Sequence, residues 1–116
     1  MRYMLLIYND QKASPAMGTP EREKMHADYG AFTQQLIASG AMRAGDGLLP
    51  ASSATTVRVK GGKTLTSDGP FAETKEQLGG YYIVEVENLQ QATNIAAMVP
   101  DALNGGSVEI RPILEM

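Results

Sequence analysis

Cysteine and tryptophan are absent from this chain of 116 residues, and histidine occurs once. The lack of cysteine excludes disulfides, thiolate nucleophiles and zinc sites with cysteine ligands, and it suits a reducing compartment. Ten Lys and Arg stand against thirteen Asp and Glu, for a net charge of −3, and the basic residues are scattered along the chain. Nucleic-acid binding depends on clustered cations, so we do not expect a nucleic-acid partner.

Long apolar runs are also missing. The longest run near the start, residues 3 to 8, is followed at once by Asn9 and Asp10. It is too short for a signal-peptide core or a membrane span, so we expect a cytoplasmic protein without a membrane partner. The length and the hydrophobic content of 43% predict one domain over residues 1–116.

The hydrophobic pattern predicts both strands and helices. Residues 3 to 8 lack polar alternation, which is typical of a strand covered on both faces. Thr19 and Pro20 begin a helix that ends near residue 39, before Gly40. Its apolar stripe recurs at helical spacing through Met25, Tyr29, Phe32 and Leu36.

The rest of the chain predicts a hairpin, three more strands and a second helix. The pair Gly61-Gly62 between residues 57–60 and 63–66 is typical of a tight hairpin, with Val59 opposite Thr64. Residues 41–56, which contain the apolar patch Leu48-Leu49-Pro50, predict a brief strand followed by an irregular connection. A strand is predicted at residues 80–87. A helix at about 89–99 is capped by Asn88 and stopped by Pro100, and a last strand follows at residues 108–113.

Without the inserted hairpin, the predicted order is strand, helix, strand, strand, helix, strand. This order is the ferredoxin-like split βαβ pattern of the α+β class, in which an antiparallel sheet carries both helices on one face. The other face of the sheet is then uncovered. A second copy packed sheet to sheet is the simplest cover, so we expect a homodimer.

The most distinctive segment is DGPFAETKEQLGGYYIVEVE, residues 68–87, which begins with Asp68-Gly69-Pro70-Phe71. It resembles the DGPF group of the YCII-related family, and the chain's beginning, MRYMLLIYND, and end, GGSVEIRPILEM, are similar to the same family. The resemblance implies a dimeric ferredoxin-like α/β barrel. It implies no cofactor and little chemistry, but an occasional link to sigma factors, so a sigma-factor or other regulatory partner is a second expectation.

A better-described branch of the family has a histidine on the first helix and an aspartate near the end of the second. Here Tyr29 occupies the position matched to that histidine, and the single histidine, His26, lies one turn earlier. Asp101 follows Pro100, whereas the resemblance implies an aspartate that precedes a proline. We therefore do not transfer the histidine–aspartate pair to this chain.

Two residues are candidates for acid/base catalysis. Asp68 suits a turn on mechanical grounds, and at the end of a strand its carboxylate also suits a proton acceptor over the open face of the sheet. His26 has the ring that most often serves as a general base, but Arg22 and Glu23 beside it favour a place on the helix surface. Both interpretations stay open for each residue.

The remaining candidates are ligand-binding residues. Alternation places Tyr82 on the core face of its strand and Tyr81 and Glu85 on the opposite face. Arg111, on the last strand, suits either an anion-binding role or an ion pair with Glu85. Glu73 and Glu76 suggest a paired-carboxylate site, but no histidine is near, so we expect no metal.

We therefore expect a small-molecule cleft formed by Asp68, Phe71 and Tyr81, with Tyr29 and Arg111 as further ligand-binding residues. The chemistry that these residues favour is general acid/base catalysis on a small polar or aromatic substrate. A non-catalytic regulatory or interaction module is the alternative, and an exposed apolar patch away from the cleft would favour it.

Overall fold

A computed structural model describes residues 1–15 and 18–115. One turn of 3-10 helix, Ala51–Ser53, follows the second strand. The helices and strands are β1 (Arg2–Asn9), α1 (Pro20–Ser39), β2 (Met42–Gly47), β3 (Thr55–Lys60), β4 (Lys63–Asp68), β5 (Gln77–Glu85), α2 (Leu89–Ala96), α3 (Pro100–Leu103) and β6 (Ser107–Pro112).

Four strands form one sheet in the order β2-β5-β1-β6, and every neighbouring pair is antiparallel. Strands β3 and β4 form a separate two-stranded sheet. The sheet order and the alternation of strands and helices agree with the predicted α+β class and are compatible with a ferredoxin-like fold. No helix in the described part of the chain has the length and apolar character needed to cross a membrane.

The core lies on one face of the four-stranded sheet. Tyr3, Leu5 and Ile7 of β1 are buried there, together with residues of α1 and α2. The alternate residues Met4 and Leu6 are only half-buried. A single chain therefore buries one face of β1. The other face would be buried only by the second copy of the predicted homodimer.

The predicted ends of α1 are confirmed. The side chain of Thr19 accepts a hydrogen bond from the backbone N–H of Arg22, and Gly40 ends the helix with a φ of 80°. The second helix was predicted too long, because α2 ends at Ala96 and a separate short helix begins at Pro100. The reason is that Val99 is extended, as residues before proline tend to be, while proline itself suits a first helical position.

The brief strand predicted within residues 41–56 is confirmed as β2, whereas the strand predicted at residues 80–87 begins earlier in the structure. The early strand β2 ends at Gly47, so the apolar patch that begins at Leu48 lies in the exposed loop behind it. Strand β5 begins at Gln77, so Gly79 and Gly80 lie inside the strand. Glycine lowers strand propensity, which is why the sequence pattern placed the start of this strand too late.

The hairpin has the predicted register. Val59 pairs with Thr64, and both Gly61 and Gly62 have positive φ. The side chains of this hairpin contact little of the remaining chain, because all except Thr56 are exposed. Val57, with 58% of its surface exposed, and Val59, with 68%, are the largest apolar contributions to that surface.

The DGPF segment closes the base of the hairpin. Gly69 has a φ of 92°, and its N–H donates to the carbonyl of Ala54 at 2.7 Å. The hydroxyl of Thr56 donates to the carbonyl of Gly69 at 2.8 Å. These two bonds fix the turn against the start of β3, so the motif has a structural role whatever else its side chains do.

The turn predicts different costs for two neighbouring substitutions. We expect Gly69→Ala to lower the free energy of unfolding by about 1–2 kcal/mol, because alanine is strained at this positive φ. Asp68→Asn should change it by less than about 0.5 kcal/mol, because Asp68 is exposed. Urea denaturation of the two variants measures the difference, and equal costs would contradict this role of the turn.

Candidate functional site

One face of helix α1 lines a cleft beside the sheet. Arg22, His26, Tyr29 and Thr33 follow one another at helical spacing, and all four border this cleft. The cleft has a volume of about 330 Å³. It is therefore of the size that holds a small organic molecule.

The sheet side of the cleft consists largely of glycine. Gly47 of β2 pairs with Gly80 of β5 across the strand boundary, and both line the cleft. A Cβ atom at Gly47 would meet no atom within 4 Å, so the missing side chain leaves open space. The same construction at Gly45 would come within 2.6 Å of the Tyr82 ring, so that space is already filled.

The Tyr82 ring limits the cleft on its inner side. Its hydroxyl lies 2.7 Å from the hydroxyl of Thr33, and its ring makes an edge contact with Phe32 at a centroid distance of 5.2 Å. Both partners belong to α1. Met25, Met42 and Ile7 also line the cleft and add apolar surface.

A tyrosine–aspartate pair forms the end wall of the cleft. The hydroxyl of Tyr29 donates to Oδ2 of Asp101 at 2.5 Å. Nδ2 of Asn9 donates to Oδ1 of the same carboxylate at 3.2 Å, so each oxygen has a neutral donor. The Oδ1 atom of Asn9 is itself buried and has no hydrogen-bond partner among the described residues.

Helix α3 and the glycines behind it hold Asp101 in this place. The N–H of Gly106 donates to the backbone carbonyl of Asp101 at 2.7 Å. A Cβ atom at Gly106 would lie 2.5 Å from the carbonyl oxygen of Tyr8, so only glycine allows this close approach. The short helix is thereby fixed against the end of β1, and its carboxylate faces α1.

The pair has a clear electrostatic consequence. Burial raises the pKa of the Tyr29 phenol, and its hydrogen bond to the Asp101 carboxylate raises it further. Tyr29 therefore keeps its proton at neutral pH and acts as a hydrogen-bond donor. Asp101 is the acceptor of the pair, which is the property that a general base needs.

A second, more open groove lies on the other side of Asp101. Its volume is about 640 Å³, and Met25 and Asp101 line both this groove and the cleft. The groove also carries Asp10, Glu21 and Asp28. No group of three or more acidic or histidine side chains in the described part of the chain is placed to hold a metal ion.

His26 and Tyr29 are the predicted site residues that lie together at the cleft. Asp68 is exposed at the end of β4, and 80% of Phe71 is exposed. Tyr81 donates to Asp46 at 2.8 Å on the outer face of the sheet. Neither the cleft nor the groove is lined by these last three predicted residues, and their roles stay predictions.

Arg111 does not pair with Glu85, as one interpretation of the sequence proposed. It pairs instead with Glu109, two residues away on β6. Glu85 pairs with Arg43 of β2 at 3.3 Å. The strand order explains this correction, because β1 lies between β5 and β6 and separates Glu85 from Arg111.

Asp101 is the residue that sequence reasoning missed. The aspartate was set aside because it follows Pro100, yet the structure brings it to Tyr29, the position matched to the histidine of the related branch. One sequence signal was available, since a tyrosine within an apolar helical stripe normally needs a partner for its hydroxyl. A second signal was the set of four glycines on the sheet side of the cleft, namely Gly45, Gly47, Gly79 and Gly80.

Comparison with known proteins gives two findings. The family model described as YCII-related domain matches residues 1–116. An uncharacterized protein of Rhizobium meliloti (strain 1021) is 36% identical over 114 residues, which cover 97% of this chain and 92% of that protein. The match to the family model confirms the resemblance to the YCII-related family noted from the DGPF motif.

The raised pKa of Tyr29 predicts a loss of stability at high pH. Above about pH 10, the unfolded chain loses the phenol proton while the folded chain keeps it, so the free energy of unfolding falls as the pH rises. The slope from this group is at most about 1.4 kcal/mol per pH unit, and partial exposure makes it smaller. Tyr29→Phe should therefore lose stability less steeply than the wild type between pH 9 and 11.

Urea denaturation at several pH values measures both slopes. Other groups titrate in the same range, but they are common to the two proteins and cancel in the difference. Parallel curves for the wild type and Tyr29→Phe would show that Tyr29 titrates alike in the folded and unfolded chains, and would contradict the interpretation of the pair.

Proposed function

The chain belongs to the YCII-related family, and on that premise we propose that it binds a small polar or aromatic molecule in the cleft and performs general acid/base chemistry on it. The hydrogen bond between Tyr29 and Asp101 at the end wall of the cleft is the observation that carries this proposal. It places a proton acceptor and a proton-retaining donor beside a space of ligand size.

In the proposed reaction, the Asp101 carboxylate takes a proton from the bound molecule. Tyr29 and Asn9 orient the carboxylate before the reaction, and they limit the reorganisation that the proton transfer needs. The Tyr29 hydroxyl is also placed to turn toward a negative charge that develops on the ligand. Arg22 and His26 border the cleft on the same face of α1 as Tyr29, and the Arg22 guanidinium favours that charge.

A homodimer is part of the proposal. The open face of the sheet carries Met4, Leu6 and Ile83, which are half-buried in the single chain and surrounded by charged residues. Packing of this face against the same face of a second copy would remove these apolar side chains from water, as the family resemblance implies. We propose a cytoplasmic location for this dimer, because a chain without cysteine suits a reducing compartment.

An interaction module is the second candidate function. The exposed apolar residues Val57, Val59 and Leu65 of the hairpin, together with Phe71, favour it. Val57 and Val59 lie on one face of the hairpin, and Leu65 lies on the other because it pairs with Arg58. None of the four residues lines the cleft, and exposed apolar side chains of this kind are typical of a surface that binds another protein. A sigma factor or another regulatory protein is the partner that the family resemblance suggests.

A ligand screen tests the catalytic site. We expect thermal shifts of the wild-type protein against a metabolite library to reveal a ligand, because a ligand at a hundred times its Kd adds about 2.7 kcal/mol to stability. A ligand that undergoes acid/base chemistry should turn over with the wild type and fail to react with Asp101→Asn. Asp68→Asn is the matched control, with the same chemical change at an exposed turn.

The reverse result, with activity lost only in Asp68→Asn, would move the chemistry to the DGPF turn. Activity retained in both variants would contradict an acid/base role for either carboxylate. A screen without any ligand would favour the interaction module.

Light scattering tests the dimer. We expect the wild-type chain to have the mass of two copies, and Ile83→Lys to weaken association by at least about tenfold, or about 1.4 kcal/mol, because it places a charge in the centre of the open face. Val59→Lys is the matched control on the exposed hairpin. A wild-type mass of one copy at all concentrations would contradict the proposal, and a loss of mass in Val59→Lys alone would assign the interface to the hairpin.

A further inference from the structure

The floor of the cleft is the part of the sheet around the pair Gly47 and Gly80, where no side chain rises. In most strands, alternate side chains rise from each face, but Gly47 of β2 and Gly80 of β5 pair without side chains. Gly80 is buried against the backbone of Asp46. The open space above Gly47 is not filled by any neighbouring side chain. A flat ligand on such a floor brings many of its atoms to contact distance at once, whereas a puckered ring brings fewer.

The walls around this floor suit an aromatic or conjugated ligand. Met25 of α1 and Met42 of β2 both line the cleft. Their thioether groups are polarizable and make favourable contacts with aromatic rings. The Tyr82 ring closes the inner end and offers an aromatic edge.

The entrance of the cleft carries side chains that suit a negatively charged ligand. Arg22 and His26 lie one turn apart on α1 and border the cleft. Neither side chain takes part in an ion pair with another described residue. The carboxylates that also line the cleft, Asp46 and Asp101, are held by Tyr81 and by Tyr29. An arginine in this position suits a ligand carboxylate, which it binds through two parallel hydrogen bonds.

We propose that the cleft selects planar organic anions, namely aromatic or conjugated carboxylates, whose ring lies on the glycine floor and whose carboxylate binds Arg22. This inference rests on the proposed use of the cleft as the ligand site and names its ligand class. This binding mode sets the orientation of the ligand. When the ligand carboxylate binds Arg22, the opposite end of the conjugated system lies toward Asp101.

An NMR titration of the full ¹⁵N-labelled chain tests this selectivity with three probes. Benzoate is planar and charged, cyclohexanecarboxylate has the same charge on a puckered ring, and benzamide is planar and neutral. We expect benzoate to shift the amide signals of Gly47 and Gly80 with saturation. The two other probes should bind at least about tenfold more weakly.

Variants separate the floor from the charge. Gly47→Val should abolish the benzoate shifts because its side chain fills the open space. Gly30→Val is the matched control, since Gly30 also has open space around it but lies on α1 and does not line the cleft. Arg22→Gln should weaken benzoate at least about tenfold and leave benzamide unchanged.

Three results would overturn the inference: no saturable benzoate shifts, equal affinity for cyclohexanecarboxylate, or unchanged benzoate binding by Gly47→Val. The titration measures binding without turnover, so it is independent of the acid/base role of Asp101. Benzoate binding by an Asp101→Asn protein whose activity is unchanged would refute the catalytic proposal alone. Library ligands of another class that shift the same glycine signals, without benzoate binding, would refute the selectivity alone.

Discussion

The Tyr82 ring sets the distance between helix α1 and the sheet, and the cleft depends on it. The ring occupies the space above Gly45, its edge meets Phe32, and its hydroxyl meets Thr33. Interiors are close-packed, so a rigid ring in this position prevents the helix from collapsing onto the strands. Beyond the ring, the space above Gly47 is open, and the separation that the ring maintains becomes a cleft.

The pair Tyr29 and Asp101 depends on a close approach of two backbone segments. Asp101 reaches Tyr29 because helix α3 lies close to the end of β1, and that closeness requires glycine at position 106. Asn9 then completes the set of donors to the carboxylate. The side chains proposed for proton transfer are therefore positioned by close backbone contacts between elements that are distant in sequence.

The sequence predicted what local signals determine. The ends of α1 follow from Thr19 and Gly40, and the hairpin register follows from its glycine pair. The meeting of Tyr29 and Asp101 has no local signal, because 72 residues separate them and only tertiary packing joins them. Pro100 is a further case, since its chemistry fits both the end of one helix and the start of another.

The inserted hairpin also has a consequence for how the chain reaches its fold. The connection from β2 to β5 contains the whole hairpin, and the ends of the hairpin, Thr55 and Asp68, are paired neighbours. A hairpin forms in about 1–10 μs, before long-range strand pairing. Its early formation shortens the effective connection by about half, which lowers the entropy cost of closing that loop by about 0.6 kcal/mol. The segment thus speeds the pairing of the two strands that carry the glycine floor.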